Sequence, residues 1–169
     1  MLSYPCMMKI LVAIDFSDAT PEVAEHAGKL ARAMQGVIHL IHVVEPRIAY
    51  DVAGIFPEDV VIPKEEVGKS MTIKALSEMR LRQLAEELTD QWGVLVRSKV
   101  TDEFDTQEAI ETYAEKEGAD MIIVGNHSHS FLSSVFLGSV AEEVIRHAKV
   151  PVLVVPVKAF DADKQGEGA

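Results

Sequence analysis

Cysteine, aromatic residues and positive charge are all scarce in this sequence of 169 residues. The one cysteine, Cys6, has no second thiol to pair with, which excludes an internal disulfide and favours a reducing compartment. The 16 Lys and Arg residues against 27 Asp and Glu give a formal net charge of −11. This balance argues against nucleic acid or an anionic membrane as a partner, because both require clustered cations. No signal or membrane segment is evident near the start, so we expect a cytoplasmic protein.

The apolar residues that are present indicate the kind of core. Hydrophobic residues make up 48% of the chain but aromatic residues only 6%, so the core consists mainly of Val, Ile, Leu and Ala. These residue types are typical of a parallel sheet covered by helices. A chain of this length suits one domain, which we predict over residues 8–158, with flexible termini at 1–7 and 159–169.

Five strand-like runs alternate with four helical runs along the chain, a pattern typical of an α/β domain. The strands are predicted at residues 9–15, 37–44, 94–100, 121–124 and 152–157. The third strand mixes apolar with charged residues, and the fifth contains Pro156, so both are predicted to lie near a sheet edge. We therefore predict a single open, mainly parallel five-stranded sheet with helices on both faces.

The predicted helix ends carry recognisable capping residues. Thr20 precedes a proline and is predicted to cap the first helix, which Gly36 would close. Asp105 with Glu108, and Ser139 with Glu142, have the spacing of a capping box. A long irregular stretch, residues 45–69, lies between the second strand and the second helix. Such a connection is usually functional or mobile.

The stretch from Gly125 to Ser139 is the most informative part of the sequence. It joins a buried strand to a helix that begins near Gly138, where unpaired backbone N–H groups and the helix dipole favour an anion such as phosphate. Asp15 follows the first strand, and if the two strands are neighbours, both features face one crevice. Two plainer interpretations stay open: the stretch is only a connection, and Asp15 is only a turn residue.

Several segments of the sequence resemble the universal stress protein family. They are VAIDFSD, IHVVEP, IIVGNHS, LGSVAEEVIRH and PVLVV, and the resemblance covers about residues 8–157. The nucleotide-binding loop of that family reads Gly, two residues, Gly, nine residues, Gly, then Ser or Thr. Here Gly125, Gly138 and Ser139 match, and Ser128 stands where the second glycine belongs.

The resemblance implies a Rossmann-like or flavodoxin-like domain that binds ATP or AMP, with Mg²⁺ accompanying ATP. It implies that Asp15 and Val43 contact the adenine. It also implies that the ribose and phosphates are lined by residues of the loop and of the helix that follows it, namely Gly125, Ser128, Gly138, Ser139 and Val140. It further implies a homodimer formed through the last strand, Val152 to Val157, that acts as a stress-response or signalling module.

Two departures from the family pattern favour an alternative, a dimer that has lost tight nucleotide binding and acts as a protein-interaction module. If the backbone at Ser128 needs a positive φ, serine adds strain on the order of 1 kcal/mol, or roughly tenfold in affinity. The segment TDEFDT, residues 101–106, replaces a Gly-x-Pro-like turn. It is expected to place Asp102, Glu103 and Asp105 near the rim of the crevice, where they would repel phosphates unless Mg²⁺ bridges them.

Metal and nucleophile chemistry has weaker support in the sequence. His127 and His129 have an H-x-H spacing, and His39 and His42 form a second pair. The second pair should face opposite sides of a strand, and no other ligands complete a tetrahedral set for either pair. We therefore expect no metal site. No G-x-S-x-G elbow or Walker loop is present. We therefore expect a binding protein and not a dedicated enzyme, with a slow ATPase as a further alternative.

Overall fold

The fold is a parallel sheet of five strands with helices on both faces, as the sequence predicts. The computed structural model describes residues 7–44, 73–126 and 138–156. Strands and helices alternate within these ranges: β1 Lys9–Ala13, α1 Thr20–Met34, β2 Val37–Val44, α2 Ile73–Trp92, β3 Leu95–Asp102, α3 Thr106–Glu117, β4 Met121–Asn126, α4 Ser139–His147 and β5 Val152–Pro156.

The strand order is β3-β2-β1-β4-β5, and all neighbours are parallel. β1 lies at the centre, with Ile10 opposite Ile38 of β2 on one side and opposite Met121 of β4 on the other. The chain leaves β1 toward β2 and β3, and it returns to the far side of β1 for β4 and β5. The order therefore reverses between β1 and β4, which opens a crevice at the carboxyl ends of these strands.

Alternate side chains of β1 enter two separate cores. Ile10 and Val12 pack with α1 and α2 on one face of the sheet, whereas Leu11 packs with α3 and α4 on the other. Continuous apolar strands such as β1 and β4 are buried on both faces, which is why they occupy the centre. The two strands predicted near an edge, β3 and β5, are the edge strands, and Pro156 pairs only with Asn126 of β4.

Two predicted capping residues are wrong by one position, although α4 begins next to Gly138 as predicted. Ala19 and not Thr20 is the N-cap of α1, because a turn brings the Ser17 carbonyl within 2.9 Å of the Thr20 N–H. Gly138 and not Ser139 is the N-cap of α4, so the predicted capping box does not form, and the Glu142 N–H donates to the Gly138 carbonyl. The cap predicted for α3 is confirmed: Asp105 Oδ1 accepts from the Glu108 N–H at 2.9 Å.

The end of α1 also differs from the prediction. Gln35, and not Gly36, adopts the left-handed conformation, with φ 52°. Gly36 is required for another reason, since a Cβ there would lie 2.5 Å from the Met8 carbonyl oxygen. The close approach of these backbones allows the Val37 N–H to donate to Met8 at 2.8 Å, which aligns the start of β2 with β1.

Several smaller predictions can be compared directly. β1 ends at Ala13 and not at residue 15, and β3 extends to Asp102, two residues beyond its predicted end. His39 and His42 lie on opposite faces of β2, as predicted: His39 lies near Tyr113 of α3, and His42 near Phe16. No helix in the described ranges combines the length and apolar character that a membrane span requires.

Some predicted features fall outside the described residues and stay predictions. They include the flexible termini, apart from residue 7, and the irregular stretch 45–69. Cys6, His127, Ser128, His129 and Val157 also lie outside the described ranges.

Candidate functional site

A cavity of about 280 Å³ lies at the carboxyl ends of β1, β2 and β4, bordered by the first residues of α1, α3 and α4. We call it the crevice cavity. The residues that line it are Ala13, Ile14, Asp15, Ala19, Thr20, Val23, Ile41, His42, Val43, Thr106, Ile110, Val124, Gly125, Gly138, Ser139, Val140 and Ala141. The cavity combines an apolar floor with a few polar groups at its rim, the usual character of a small-molecule site.

Six of the seven predicted site residues line the crevice cavity. They come from four separate parts of the chain and are Asp15, Val43, Gly125, Gly138, Ser139 and Val140. The seventh, Ser128, lies outside the described residues. The topology explains the convergence, because the ends of three neighbouring parallel strands and the start of the helix after β4 meet at the same edge of the sheet.

Asp15 forms a turn and also lines the cavity. Its Oδ1 accepts from the Ser17 N–H at 2.9 Å and from Ser17 Oγ at 2.6 Å, so the interpretation of Asp15 as a turn residue is confirmed. Ser17 Oγ accepts in turn from the Ala19 N–H at 3.3 Å. These bonds involve one carboxylate oxygen only, and Asp15 is exposed, so its other oxygen stays accessible to a ligand.

The start of α4 presents backbone donors to the cavity. The first bond within this helix runs from the Glu142 N–H to the Gly138 carbonyl at 2.9 Å, so the N–H groups of the three preceding residues have no intrahelical acceptor. No side chain caps this end. The Gly138 N–H donates to Asn126 Oδ1 at 3.3 Å, which ties the helix start to the end of β4. This arrangement can hold an anion.

Gly125 allows α1 to approach the end of β4. A Cβ at this position would lie 3.1 Å from Val23 Cγ2 and 3.3 Å from the Ala19 Cβ. A side chain here would push against the first turn of α1, which forms one wall of the crevice cavity. The glycine therefore keeps the wall in place.

His42 is a polar residue of the cavity wall, and no local pattern in the sequence assigns it to the site. Its Nδ1 lies 2.7 Å from the Ile14 carbonyl oxygen and must donate, because a carbonyl can only accept. Burial lowers the pKa of His42, with the bond to Ile14 and the charge of Asp15 opposing this effect and the charge of Arg80 adding to it. Burial therefore favours the neutral form of the ring.

Thr20 adds an unsatisfied group to the same wall. Its Oγ1 is buried and has no hydrogen-bond partner among the described residues, although Thr20 lines the cavity. A buried hydroxyl without a partner costs free energy, so a polar ligand atom would be favoured here. Only its position in the fold, and not the local sequence, identifies Thr20 as a site residue.

The acidic residues before α3, which we expect near the rim of the crevice, are not among the residues that line the crevice cavity. The Asp102 carboxylate pairs with Lys74 at 2.6 Å, Glu103 accepts from Thr101 Oγ1 at 3.3 Å, and Asp105 caps α3. Thr106, the first residue of α3, lies at the cavity instead. Asp15 is the only carboxylate among the described lining residues, and no group of three His, Cys, Asp or Glu in the described ranges could hold a metal ion.

Comparison with known proteins agrees with this architecture. Residues 7–156 match the model of the universal stress protein family. A universal stress protein of Methanocaldococcus jannaschii is 32% identical over 149 residues, which cover 87% of this chain and 81% of that protein. A second one from the same organism is 30% identical over 159 residues, with coverages of 89% and 95%.

Solved structures show the same fold. A universal stress protein in complex with cAMP superposes with a TM-score of 0.64 at 20% identity and covers 90% of this chain and 98% of its own. The universal stress protein of Archaeoglobus fulgidus in complex with dAMP has a TM-score of 0.58 at 20% identity, with coverages of 87% and 96%. Together with the match over residues 7–156, these results show that the chain belongs to the universal stress protein family.

Proposed function

We propose that this protein binds an adenine nucleotide, ATP or AMP, in the crevice cavity and acts as a dimeric stress-response module in the cytoplasm. The observation that carries the proposal is the pairing of two kinds of polar group across one cavity. Asp15 follows the end of β1, and the start of α4, with its unpaired N–H groups, lines the same cavity. A nucleotide carries matching groups, a base with hydrogen-bond donors and phosphates with negative charge.

The cavity also suits the uncharged parts of a nucleotide. Val43, Ile110 and Val124 supply apolar surface that a base can cover, and the buried Thr20 hydroxyl lacks a partner that a ribose or phosphate could provide. Related proteins also support the proposal, because two structural neighbours are complexes with cAMP and dAMP. Both ligands contain adenine and phosphate.

We expect ATP hydrolysis, if present, to be slow and incidental. Phosphoryl transfer depends on metal ions and a positioned base, and Asp15 is the one described carboxylate at the cavity. Mg²⁺ would then be carried in with ATP and held mainly by the phosphates. A turnover that rises with Mg²⁺ and disappears in Asp15→Ala would instead indicate an ATPase.

Calorimetric titration of ATP and AMP, with and without Mg²⁺, tests the proposal. We expect binding near micromolar for the wild type and a loss of at least tenfold for Asp15→Ala. Asp18→Ala is the matched control, because it makes the same charge change three residues away at an exposed position outside the cavity lining. No heat at millimolar nucleotide would contradict the proposal.

Gly138 distinguishes nucleotide binding from the alternative, a protein-interaction module that has lost it. Its φ of −61° and ψ of 146° are open to any residue, so Gly138→Leu adds bulk at the cavity without backbone strain. Reduced nucleotide affinity at an unchanged melting temperature supports binding in the crevice cavity. A changed melting temperature with no nucleotide effect supports the alternative.

A further inference from the structure

Phe16, the residue after Asp15, has an unusual backbone conformation. Its φ is 57°, a left-handed value that glycine adopts freely and a bulky residue rarely does. Among the described residues only Gln35 shares this feature without being glycine, and Gln35 ends a helix, where the conformation is common. Phe16 lies in a turn, so contacts of its side chain must offset the strain.

Two side chains pack against the Phe16 ring. The His42 ring of β2 lies with its centroid 4.6 Å from that of Phe16, tilted by 51°. The Arg80 guanidinium carbon of α2 lies 4.3 Å from the Phe16 centroid, within the range of a cation–π contact. We call these three side chains the Phe16 stack.

The Phe16 stack connects the Asp15 turn to the rest of the domain. His42 Nδ1 donates to the Ile14 carbonyl, one residue before Asp15, so His42 contacts the chain on both sides of this carboxylate. Phe16 itself lies between Asp15 and Ser17, whose N–H and hydroxyl fix one carboxylate oxygen. A rotation of the Phe16 backbone would therefore turn the carboxylate and break the bonds to Ser17.

We propose that Phe16, His42 and Arg80 are positioning residues, which hold the Asp15 carboxylate where it accepts a hydrogen bond from an amino group of a bound base. The inference rests on the proposed function for its ligand, but the positioning itself needs no ligand. Arg80 does not line the crevice cavity, and its contact with the Phe16 ring is the route by which we propose that it acts on the Asp15 turn. It belongs to a groove outside the cavity with Gln83 and Glu87, which places one end of the stack at the surface of α2.

The first test uses the protein without nucleotide. The Ser17 amide donates to Asp15, so its hydrogen exchange, followed by NMR, reports whether the turn is formed. We expect Arg80→Ala to speed this exchange about threefold or more, Arg80→Lys to restore most of the protection, and Arg82→Ala to have no effect. Arg82 is the matched control, because it is an exposed arginine of the same helix.

A double-mutant cycle distinguishes action through Phe16 from general destabilisation. Phe16→Gly removes the ring and adopts a positive φ without support. In that background, Arg80→Ala should leave Ser17 exchange unchanged. An equal effect of Arg80→Ala in both backgrounds, or equal exchange in Arg80→Ala and Arg82→Ala, would overturn the proposal.

The second test measures selectivity between AMP and inosine monophosphate, which carries a carbonyl in place of the amino group. If Arg80→Ala misplaces the Asp15 carboxylate, it should weaken AMP binding about threefold and leave binding of the inosine nucleotide nearly unaffected. An altered fold would weaken binding of both nucleotides. Equal losses would overturn the positioning role. If the wild type binds neither nucleotide, the proposed function fails, and Ser17 exchange alone decides whether the stack holds the turn.

Discussion

His39 and His42 of β2 occupy surroundings that disfavour their charged forms. Burial lowers the pKa of each, and it outweighs the nearby Glu117 for His39 and Asp15 for His42. Positive side chains add to the effect, Arg97 and Lys9 at His39 and Arg80 at His42. His39 Nδ1 has no hydrogen-bond partner in the described ranges and lies 3.8 Å from a Glu117 oxygen.

Because the pKa of each of these two histidines is lowered by folding, we expect the protein to lose stability in mild acid. A histidine whose pKa is lower in the folded state is protonated first in the unfolded chain, so the free energy of unfolding falls as the pH drops below about 6.5. The fall ends once the pH is below the folded pKa. Urea unfolding at pH 7.5, 6.5 and 5.5 measures this loss. The free energy of unfolding of His39→Leu should fall less steeply with decreasing pH than that of the wild type. Equal slopes would show that His39 does not contribute.

Among the helices, α3 offers the clearest test of how a sequence signal becomes stability. Asp105 accepts from the Glu108 N–H and satisfies a donor that the helix itself leaves unpaired. Asp102, three residues earlier, makes an exposed ion pair with Lys74. Asp105→Ala should lower the free energy of unfolding by about 1 kcal/mol, and Asp102→Ala by at most about half of that. Urea unfolding that ranks the two in the opposite order would contradict this account of the cap.

The elements were predictable where a local pattern determines them. The apolar run of β4 indicated a strand buried on both faces, and the charged residues of β3 and Pro156 of β5 indicated the edges. The capping residues of α1 and α4 were not predictable, because Ala19 and Gly138 each precede a residue with better capping chemistry. At α1 the turn from Ser17 to Thr20 determined the cap and overrode the preference of the threonine side chain.

The candidate site likewise combines features that the sequence reveals with features that only the folded structure reveals. The spacing of Gly125, Gly138 and Ser139 and the position of Asp15 after a strand were visible in the sequence, and these residues line one cavity. Asn126, Thr20 and the contact between Phe16 and Arg80 were missed. The last of these joins residues 64 positions apart, through a helix packing that no local pattern specifies.

The whole chain is strongly acidic, and its charge opposes association into the proposed dimer. Two chains of net charge −11 repel each other, so pairing through β5 must overcome this repulsion with apolar contact and strand hydrogen bonds. Salt screens the repulsion. We expect light scattering to give about twice the monomer mass of 18.5 kDa, and the dimer dissociation constant to fall as NaCl rises from about 20 to 300 mM. A monomer at every salt concentration would contradict the dimer.

Nucleotide binding between β1 and β4 is the central claim, and an NMR titration of isotope-labelled protein with AMP tests it most directly. We predict that the largest amide shifts fall on Asp15, Val43, Gly125, Ser139 and Val140, which line the crevice cavity. Amides at the opposite end of the sheet, such as those of Lys9 and Asp120, should not move. The absence of shifts at millimolar AMP, or shifts confined to residues outside the cavity, would contradict the claim.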